Sequence, residues 1–338
     1  MPNFFLGLDL GGTNVKAGVT DENGRLVTKV SVPTGTKPKD LAPAPVIDRM
    51  VAAGNQVIGL SGITRSDIAA VGVLAPGQAS LSRGVIIRSA NLPLWKNVHL
   101  RAEVARGLGL PAVLENDANA AAYGEFWAGA GKNKKLDSLF MFTLGTGVGG
   151  GIVYEGKVIR GSSDFAAEIG HTIIEPGGEP CGCGQHGCLE RYCSARFTGE
   201  RAVRRLSKSP KIRRTSSLGK IFKEKGTFTA ADITEHARKG DAFALEAWDE
   251  SCRYLALACI NVCHFLDPQM IVLAGGMSLA GKFLLDSVLK HFHAEWWQMT
   301  RPTTKIALAK LGNDAGVIGA AGVAKDAFER KALPEIGR

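Results

Sequence analysis

Apolar and polar positions change period several times along the chain. Phe4 to Leu10 is a short apolar run that predicts a buried strand, and Gly11-Gly12-Thr13 predicts a turn. Val15, Ala17 and Val19 then alternate with Asn14, Lys16, Gly18 and Thr20, the period-2 pattern of a second strand. Asp21-Glu22-Asn23-Gly24 predicts a hairpin turn before a third strand from Leu26 to Val32. The stretch from Pro33 to Pro45 holds four prolines and reads as a loop leading to a helix over Val46–Leu60. Further apolar runs predict strands at Ala69–Leu74, ended by Pro76-Gly77, and at Ala112–Glu115, followed by an Ala-rich helix over Ala118–Ala130.

A second strand–turn–strand unit is expected from Leu139–Leu144, a glycine-rich turn from Gly145 to Gly151, and Ile152-Val153. Tyr154-Glu155-Gly156-Lys157 closes a further hairpin, and Met270–Ala274 reads as a strand running into Gly275-Gly276. Ala315–Arg330 is a terminal helix with Asn313 and Asp314 as capping candidates. Each half therefore opens with an apolar strand, a Gly-Thr turn and another strand. This predicts an α/β protein, and a length of 338 residues predicts two domains.

Composition narrows the class. With 45% apolar and 22% charged residues the chain has the balance of a globular protein and not of a disordered one. No apolar run reaches the roughly 18–20 residues of a membrane span, since Leu255–Leu266 is broken by Asn261 and His264. Asp9 interrupts the only apolar stretch near the N-terminus, so a secretory leader is not expected and the location is read as cytoplasmic. The formal net charge of +9 is local: Glu200 to Lys225 holds ten basic residues and two acids, leaving about +1 elsewhere. One short basic stretch is read as a solvated surface helix and loop, with no nucleic acid as partner.

Two groups emerge among the seven cysteines. Cys252, Cys259 and Cys263 share one stripe of a predicted helix with Leu255 and Leu266 and read as small buried hydrophobes. Cys181, Cys183 and Cys188 fall within eight residues of a glycine-rich loop and can converge on one metal ion, whereas Cys193 has no evident partner. Tetrahedral Zn²⁺ needs a fourth ligand. Local spacing nominates His186, inside the loop, and His171, ten residues before Cys181, is its rival. Four protein ligands would make the metal structural and not catalytic.

The two glycine turns carry more chemistry together than either does alone. Around Gly11, Gly12 and Thr13 a backbone without Cβ atoms can bring its N–H groups against phosphate oxygens, and Asp9 at the strand end can hold hydrated Mg²⁺. This is not a P-loop, which needs Gly-Lys-[Ser/Thr] and a following helix. Gly145-Thr146-Gly147-Val148-Gly149-Gly150-Gly151 puts five glycines in seven residues after a buried strand. A pair of such turns, one per half, suits a nucleotide. Glu115-Asn116-Asp117 sits where a strand ends and a helix begins; Asp117 either caps that helix or takes a proton from a substrate hydroxyl that Asn116 orients.

Asp9-x-Gly-Gly-Thr, Glu-Asn-Asp-Ala-Asn-Ala-Ala-Ala, Gly-Thr-Gly-Val-Gly-Gly-Gly, Glu-Ile-Gly-His and Cys-Gly-Cys-Gly-x-x-Gly-Cys-Leu-Glu, in this order from Leu6 to about Val323, together resemble the ROK family of sugar kinases and sugar-responsive repressors. The resemblance implies a two-domain, actin-like and hexokinase-like (ribonuclease H-like) ATPase fold with an interdomain cleft. It implies a smaller N-terminal α/β domain, 1–117 with a returning C-terminal helix at 313–338, and a larger α/β domain, 118–312, with the zinc loop. By the same resemblance ATP lies on Gly11, Gly12, Thr13, Gly145, Thr146 and Gly147 and near Gly275 and Gly276, with Mg²⁺ by Asp9; Lys16, next to the first turn, is a further candidate to offset the phosphate charge. Asp117 is then the general base; Asn91, Asn116, Glu168, His171 and Glu190 hold sugar hydroxyls. Zinc is bound by His171, Cys181, Cys183 and Cys188, which leaves His186 a loop residue.

The chain begins its first strand at about Asn3, without the helix-turn-helix of the repressors, which favours a kinase. The expected reaction is ATP-dependent phosphorylation of a hexose, glucose first, with fructose, mannose or an N-acetylhexosamine as alternatives and a non-catalytic sugar sensor as the reading from another class. The resemblance also implies a homodimer. Two positions depart from the family pattern: Ala167 where glycine is usual before the Glu, and Ser80 where an acid is usual after the Pro-Gly turn.

Overall fold

The computed structural model describes residues 3–35, 41–89 and 92–336. The chain opens with β1 (Phe4–Leu10), β2 (Asn14–Thr20), β3 (Leu26–Pro33), α1 (Pro43–Ser61) and β4 (Ile68–Leu74). Three short strands, β5 (Gln78–Ser80), β6 (Val85–Arg88) and β7 (Lys96–Val98), precede α2 (Leu100–Leu108), β8 (Ala112–Glu115) and α3 (Asp117–Trp127). The second half opens with β9 (Ser138–Leu144), β10 (Val148–Tyr154) and β11 (Lys157–Val158). Six helices follow: α4 (Glu190–Cys193), α5 (Ala195–Lys208), α6 (Pro210–Thr215), α7 (Leu218–Lys225), α8 (Ala230–Arg238) and α9 (Ala242–Leu266). Then come β12 (Met270–Ala274), α10 (Lys282–Ala294), β13 (Lys305–Leu308) and α11 (Ala315–Glu329).

The two large sheets repeat one plan. Their orders are β3-β2-β1-β4-β8 and β11-β10-β9-β12-β13, the same sequence of strands within each half. In the first, the β1/β2 and β2/β3 pairs are antiparallel while β4 and β8 extend the sheet in parallel. In the second, β9, β12 and β13 are parallel neighbours. The chain forms two compact units, Met1–Asp137 with Gly151–Ala166 and Lys310–Arg338, and Ser138–Gly150 with Ala167–Ala309.

Within the first unit, α11 docks where the sheet has no side chains. Gly18, Gly7 and Gly72 are register partners across β2, β1 and β4. A Cβ on Gly7 would lie 2.0 Å from the Val317 carbonyl oxygen and one on Gly72 would lie 1.8 Å from that of Ala320. The helix backbone therefore rests on the sheet backbone, and any larger residue would lever it off. A similar approach joins α3 to α11, where a Cβ on Gly319 would stand 2.0 Å from the Ala120 carbonyl oxygen. This packing keeps α3 wholly in the first unit, whereas the sequence division was drawn at Asp117.

Several elements differ in extent from the sequence expectation. α1 starts at Pro43 and not Val46, because the first N–H groups of a helix lack partners and proline costs nothing there. α3 ends at Trp127 and not Ala130, where Glu125 takes the Ala130 N–H on its side chain. β10 begins at Val148, inside the expected turn. The basic stretch is three helices and not a helix and loop. On α5 the arginines are matched, Arg201 and Arg205 to Glu250 and Arg204 to Glu179, while Lys208 and the lysines and arginines of α6 and α7 are exposed. Cys252, Cys259 and Cys263 are buried along α9. Among the described residues, no helix is long and apolar enough to cross a membrane.

Candidate active site

In the first unit, the β1–β2 turn presents two opposite charges. Asp9 and Lys16 are register partners, so the pleat puts both side chains on one face. The turn between them is held by the Gly11 N–H donating to the Asn14 carbonyl (2.9 Å) and by the Thr34 hydroxyl donating to the Gly11 carbonyl (2.8 Å). The Lys16 Nζ donates to the Asn313 carbonyl at 3.0 Å. Burial raises the pKa of Asp9, Lys16 opposes that shift, and the negative charge of Asp117 adds to it. A partly desolvated carboxylate whose ionisation a second carboxylate disfavours is suited to a hard divalent cation, which would relieve both penalties.

Asp117 opens α3 but does not cap it. The Asn116 side chain is the cap, accepting from the Ala118 N–H (2.9 Å) and the Asn119 N–H (3.2 Å). Asp117 Oδ1 also accepts from Ala118 at 2.8 Å, and solvent still reaches the residue although protein crowds around its carboxylate. The surrounding protein still disfavours its charge: burial raises its pKa, and the backbone bonds at the helix start oppose this without cancelling it. A carboxylate made more basic in this way is suited to accept a proton. Beneath it, the fully buried Glu115 accepts from the Asn116 N–H (3.0 Å) and Asn119 Nδ2 (3.2 Å) and pairs with Arg160 at 2.6 Å. Asn91 lies outside the described residues.

In the second unit, Gly145, Thr146 and Gly147 join β9 to β10, and Gly275 and Gly276 follow β12 in the same sheet. Gly275 has φ +87°, and a Cβ there would lie 2.6 Å from the Leu144 carbonyl oxygen, so only glycine brings the two strand ends so close. Gly145 and Gly276 face the other way, with nothing within 4 Å of an added Cβ. Thr146 and Gly276 line one cavity of about 950 Å³, with Arg196, Phe228, Arg238 and Met277 among its walls. Gly276, with an open face on a cavity of this size, fits a nucleotide with its phosphates against the backbone. The cavity residues on α5 and α8 carry no motif, and the sequence reading missed them.

The cysteine loop folds back on itself. Ile173 and Cys188 form an antiparallel bridge, reinforced by Leu189 N–H donating to Thr172 O at 2.9 Å. This sets His171 beside the thiols. Its Nδ1 is 3.7 Å from Cys181 Sγ, Cys183 and Cys188 are 3.6 Å apart, and all four ligand atoms lie within 4.8 Å of one another. Zn–S and Zn–N bonds of about 2.3 and 2.0 Å give tetrahedral edges of about 3.5–3.8 Å, so the donor set and its spacing fit zinc. His186 pairs with Pro180 in a second bridge, is exposed, and stands outside this cluster.

Both acidic residues beside the cluster are set by the backbone. Glu168 is the middle of an inverse γ-turn (φ −69°, ψ 51°) closed by the Ile169 N–H on the Ala167 carbonyl at 2.7 Å. Ala167 itself has φ +66°, a conformation that favours glycine, and this gives a physical reason for the family's usual residue there. Glu190 starts α4 and spans two features: Oε1 is 3.3 Å from Cys181 Sγ, while a Cβ on Gly147 would come within 2.7 Å of Oε2. The metal cluster, the second glycine turn and a sugar-binding candidate are thus in mutual contact inside one unit.

The ROK family model matches residues 5–327, most of the chain. The chain belongs to the ROK family. A glucokinase of Halalkalibacterium halodurans is 36% identical over 317 residues, 94% of this chain and 93% of that one. Among solved structures, the ROK hexokinase of Thermus thermophilus superimposes with a TM-score of 0.80 at 30% identity, covering 98% of this chain and 100% of that one. A ROK family glucokinase from Streptomyces griseus, in complex with glucose and AMPPNP, gives 0.73 at 33% identity over 96% of this chain and 100% of that one. The fold of this ROK protein is accordingly the actin-like α/β fold of the ROK hexokinases.

Proposed function

We propose that this ROK protein is an ATP-dependent hexose kinase acting on glucose, a hydroxyl-directed phosphotransferase that makes glucose 6-phosphate. The observation that carries the reading is Asp117, a carboxylate at a helix start whose pKa is raised by burial and whose helix is capped by its neighbour. As the 6-hydroxyl oxygen bonds to the γ-phosphorus and ADP departs with the broken P–O pair, Asp117 accepts the hydroxyl proton. Asn116, Glu168, His171 and Glu190, with Asn91, hold the remaining hydroxyls. The glycine-turn amides and Lys16 offset the phosphate charge. Mg²⁺ beside Asp9 would supply further neutralisation when bound.

Zinc on His171, Cys181, Cys183 and Cys188 would brace the loop between Glu168 and Glu190, a structural role. The homologous glucokinases and the glucose and AMPPNP in the Streptomyces griseus complex support glucose and ATP as the substrates here. The reading includes a cytoplasmic location, from the expected lack of a secretory leader, and a homodimer, as the resemblance implies; light scattering of the purified chain tests the dimer. A coupled ADP-release assay with Mg-ATP and glucose, fructose, mannose or N-acetylglucosamine tests the activity. Glucose-dependent release supports the reading. Preference for another hexose moves only the specificity, and no release with any sugar from folded, zinc-replete protein refutes it.

A further inference from the structure

Glu125 is a fully buried carboxylate on α3, eight residues after Asp117, and its charge is met by backbone amides. One oxygen accepts from the Ala130 N–H at 2.7 Å; the other accepts from Lys310 at 2.9 Å and Leu311 at 2.8 Å. The chain wraps it so closely that a Cβ on Gly129 would lie 2.2 Å from Oε2. A buried charge is a poor choice for stability alone, because a neutral, well-packed residue avoids its desolvation. The segment it holds leads straight to the two charged residues of the first glycine turn. Asn313 gives its carbonyl to Lys16 Nζ at 3.0 Å, and Gly316 sits so near Asp9 that a Cβ would come within 2.4 Å of Oδ2. Asp314, between them, pairs with Lys29 on β3 at 2.7 Å.

We propose that Glu125 is a positioning residue for phosphoryl transfer: by pinning the amides of Lys310 and Leu311 it fixes where the 312–316 segment places Lys16 and Asp9. The proposal rests on the kinase reading above. Glu125 sits on the helix that Asp117 begins, so it also ties the proton acceptor to the groups that face the phosphates. Replacing it by glutamine turns an amide N–H₂ toward donors and loosens the segment without emptying the space.

The test is a double-mutant cycle on the full chain. Glu125→Gln and Lys16→Met are made singly and together, with kcat and KM for Mg-ATP from ADP release and glucose affinity from calorimetry. Glu125→Gln is expected to lower kcat/KM for Mg-ATP about tenfold or more and to leave the glucose dissociation constant within about twofold. In the Lys16→Met background the same change is expected to cost less than it does in the wild type, because one of its two routes to the phosphates is already cut and the one through Asp9 remains. Equal losses in both backgrounds, or a glucose affinity that falls in step with kcat/KM, overturn the proposal. Should Glu125→Gln not fold, Glu125→Asp, which keeps the charge and retracts it by one methylene, replaces it in the cycle with the same criteria. A wild-type chain that releases no ADP with any hexose refutes the kinase reading instead, so the two failures are distinct.

Discussion

Gly147→Ala separates function from stability. Its backbone φ is not in the left-handed region, so alanine is allowed there, but the new Cβ would sit 2.7 Å from Glu190 Oε2. An ordinary carbon–oxygen contact is about 3.4 Å, so the carboxylate must retreat by about 0.7 Å. Rotation of a flexible glutamate achieves this at little cost to folding, and the melting point should move by no more than about 1–2 °C. A positioning group is less forgiving: a 1 Å misplacement costs roughly 100-fold, so 0.7 Å predicts about a 10–30-fold loss in kcat/KM for the sugar, or about 1.4–2 kcal/mol. The assay is glucose-dependent ADP release beside thermal unfolding. In a Glu190→Ala background the same alanine should cost less than about twofold. An undiminished loss in that background would refute the contact as the cause, and unchanged glucose kinetics in the single variant would remove Glu190 from the sugar site.

Asp117→Asn should lower kcat by about 10²–10⁴ while glucose still binds in calorimetry. The same variant should melt higher than wild type at pH 7–8: a carboxyl whose native pKa is raised destabilises the fold once ionised, and that cost vanishes below its ordinary value of 3.8, so the gap narrows as pH falls. Ala167→Gly should stabilise the second unit by about 0.5–1 kcal/mol, the relief of a left-handed alanine less the freer unfolded chain, and Ala167→Val should destabilise it, both read by thermal unfolding. Elemental analysis should find one zinc per chain in wild type and in His186→Ala but none in Cys183→Ser, whose glucose affinity should fall as the Glu168–Glu190 loop loses its anchor.

What the sequence made legible was local. Apolar runs and glycine clusters located β1, β2, β9, β10 and β12 to within a few residues, because strand period and turn chemistry are written in adjacent positions. The metal loop illustrates the limit. Spacing counts residues and not distance, so it nominated His186; the Ile173–Cys188 bridge carries His171 back beside the thiols, and a bridge of that kind leaves no local signal. The glycine row Gly18–Gly7–Gly72 looks like three unrelated glycines until register aligns them under α11. Glu190 against Gly147, Arg160 on Glu115 and Glu125 on the amides of Lys310 and Leu311 are likewise contacts between distant segments. The resemblance to the ROK family supplied roles for residues such as Glu168 and Glu190, and the structure adds the reason Ala167 is an awkward neighbour for the former.

The central claim is that Asp117 takes a proton from a glucose hydroxyl while phosphate is transferred from ATP. Its most direct test is the rate of glucose-dependent ADP release from Mg-ATP by wild type and Asp117→Asn, with glucose 6-phosphate identified as product. The account predicts rapid formation of that product by the wild type and a loss of about 10²–10⁴ in the variant, with glucose binding retained. Comparable rates from the two proteins would contradict it.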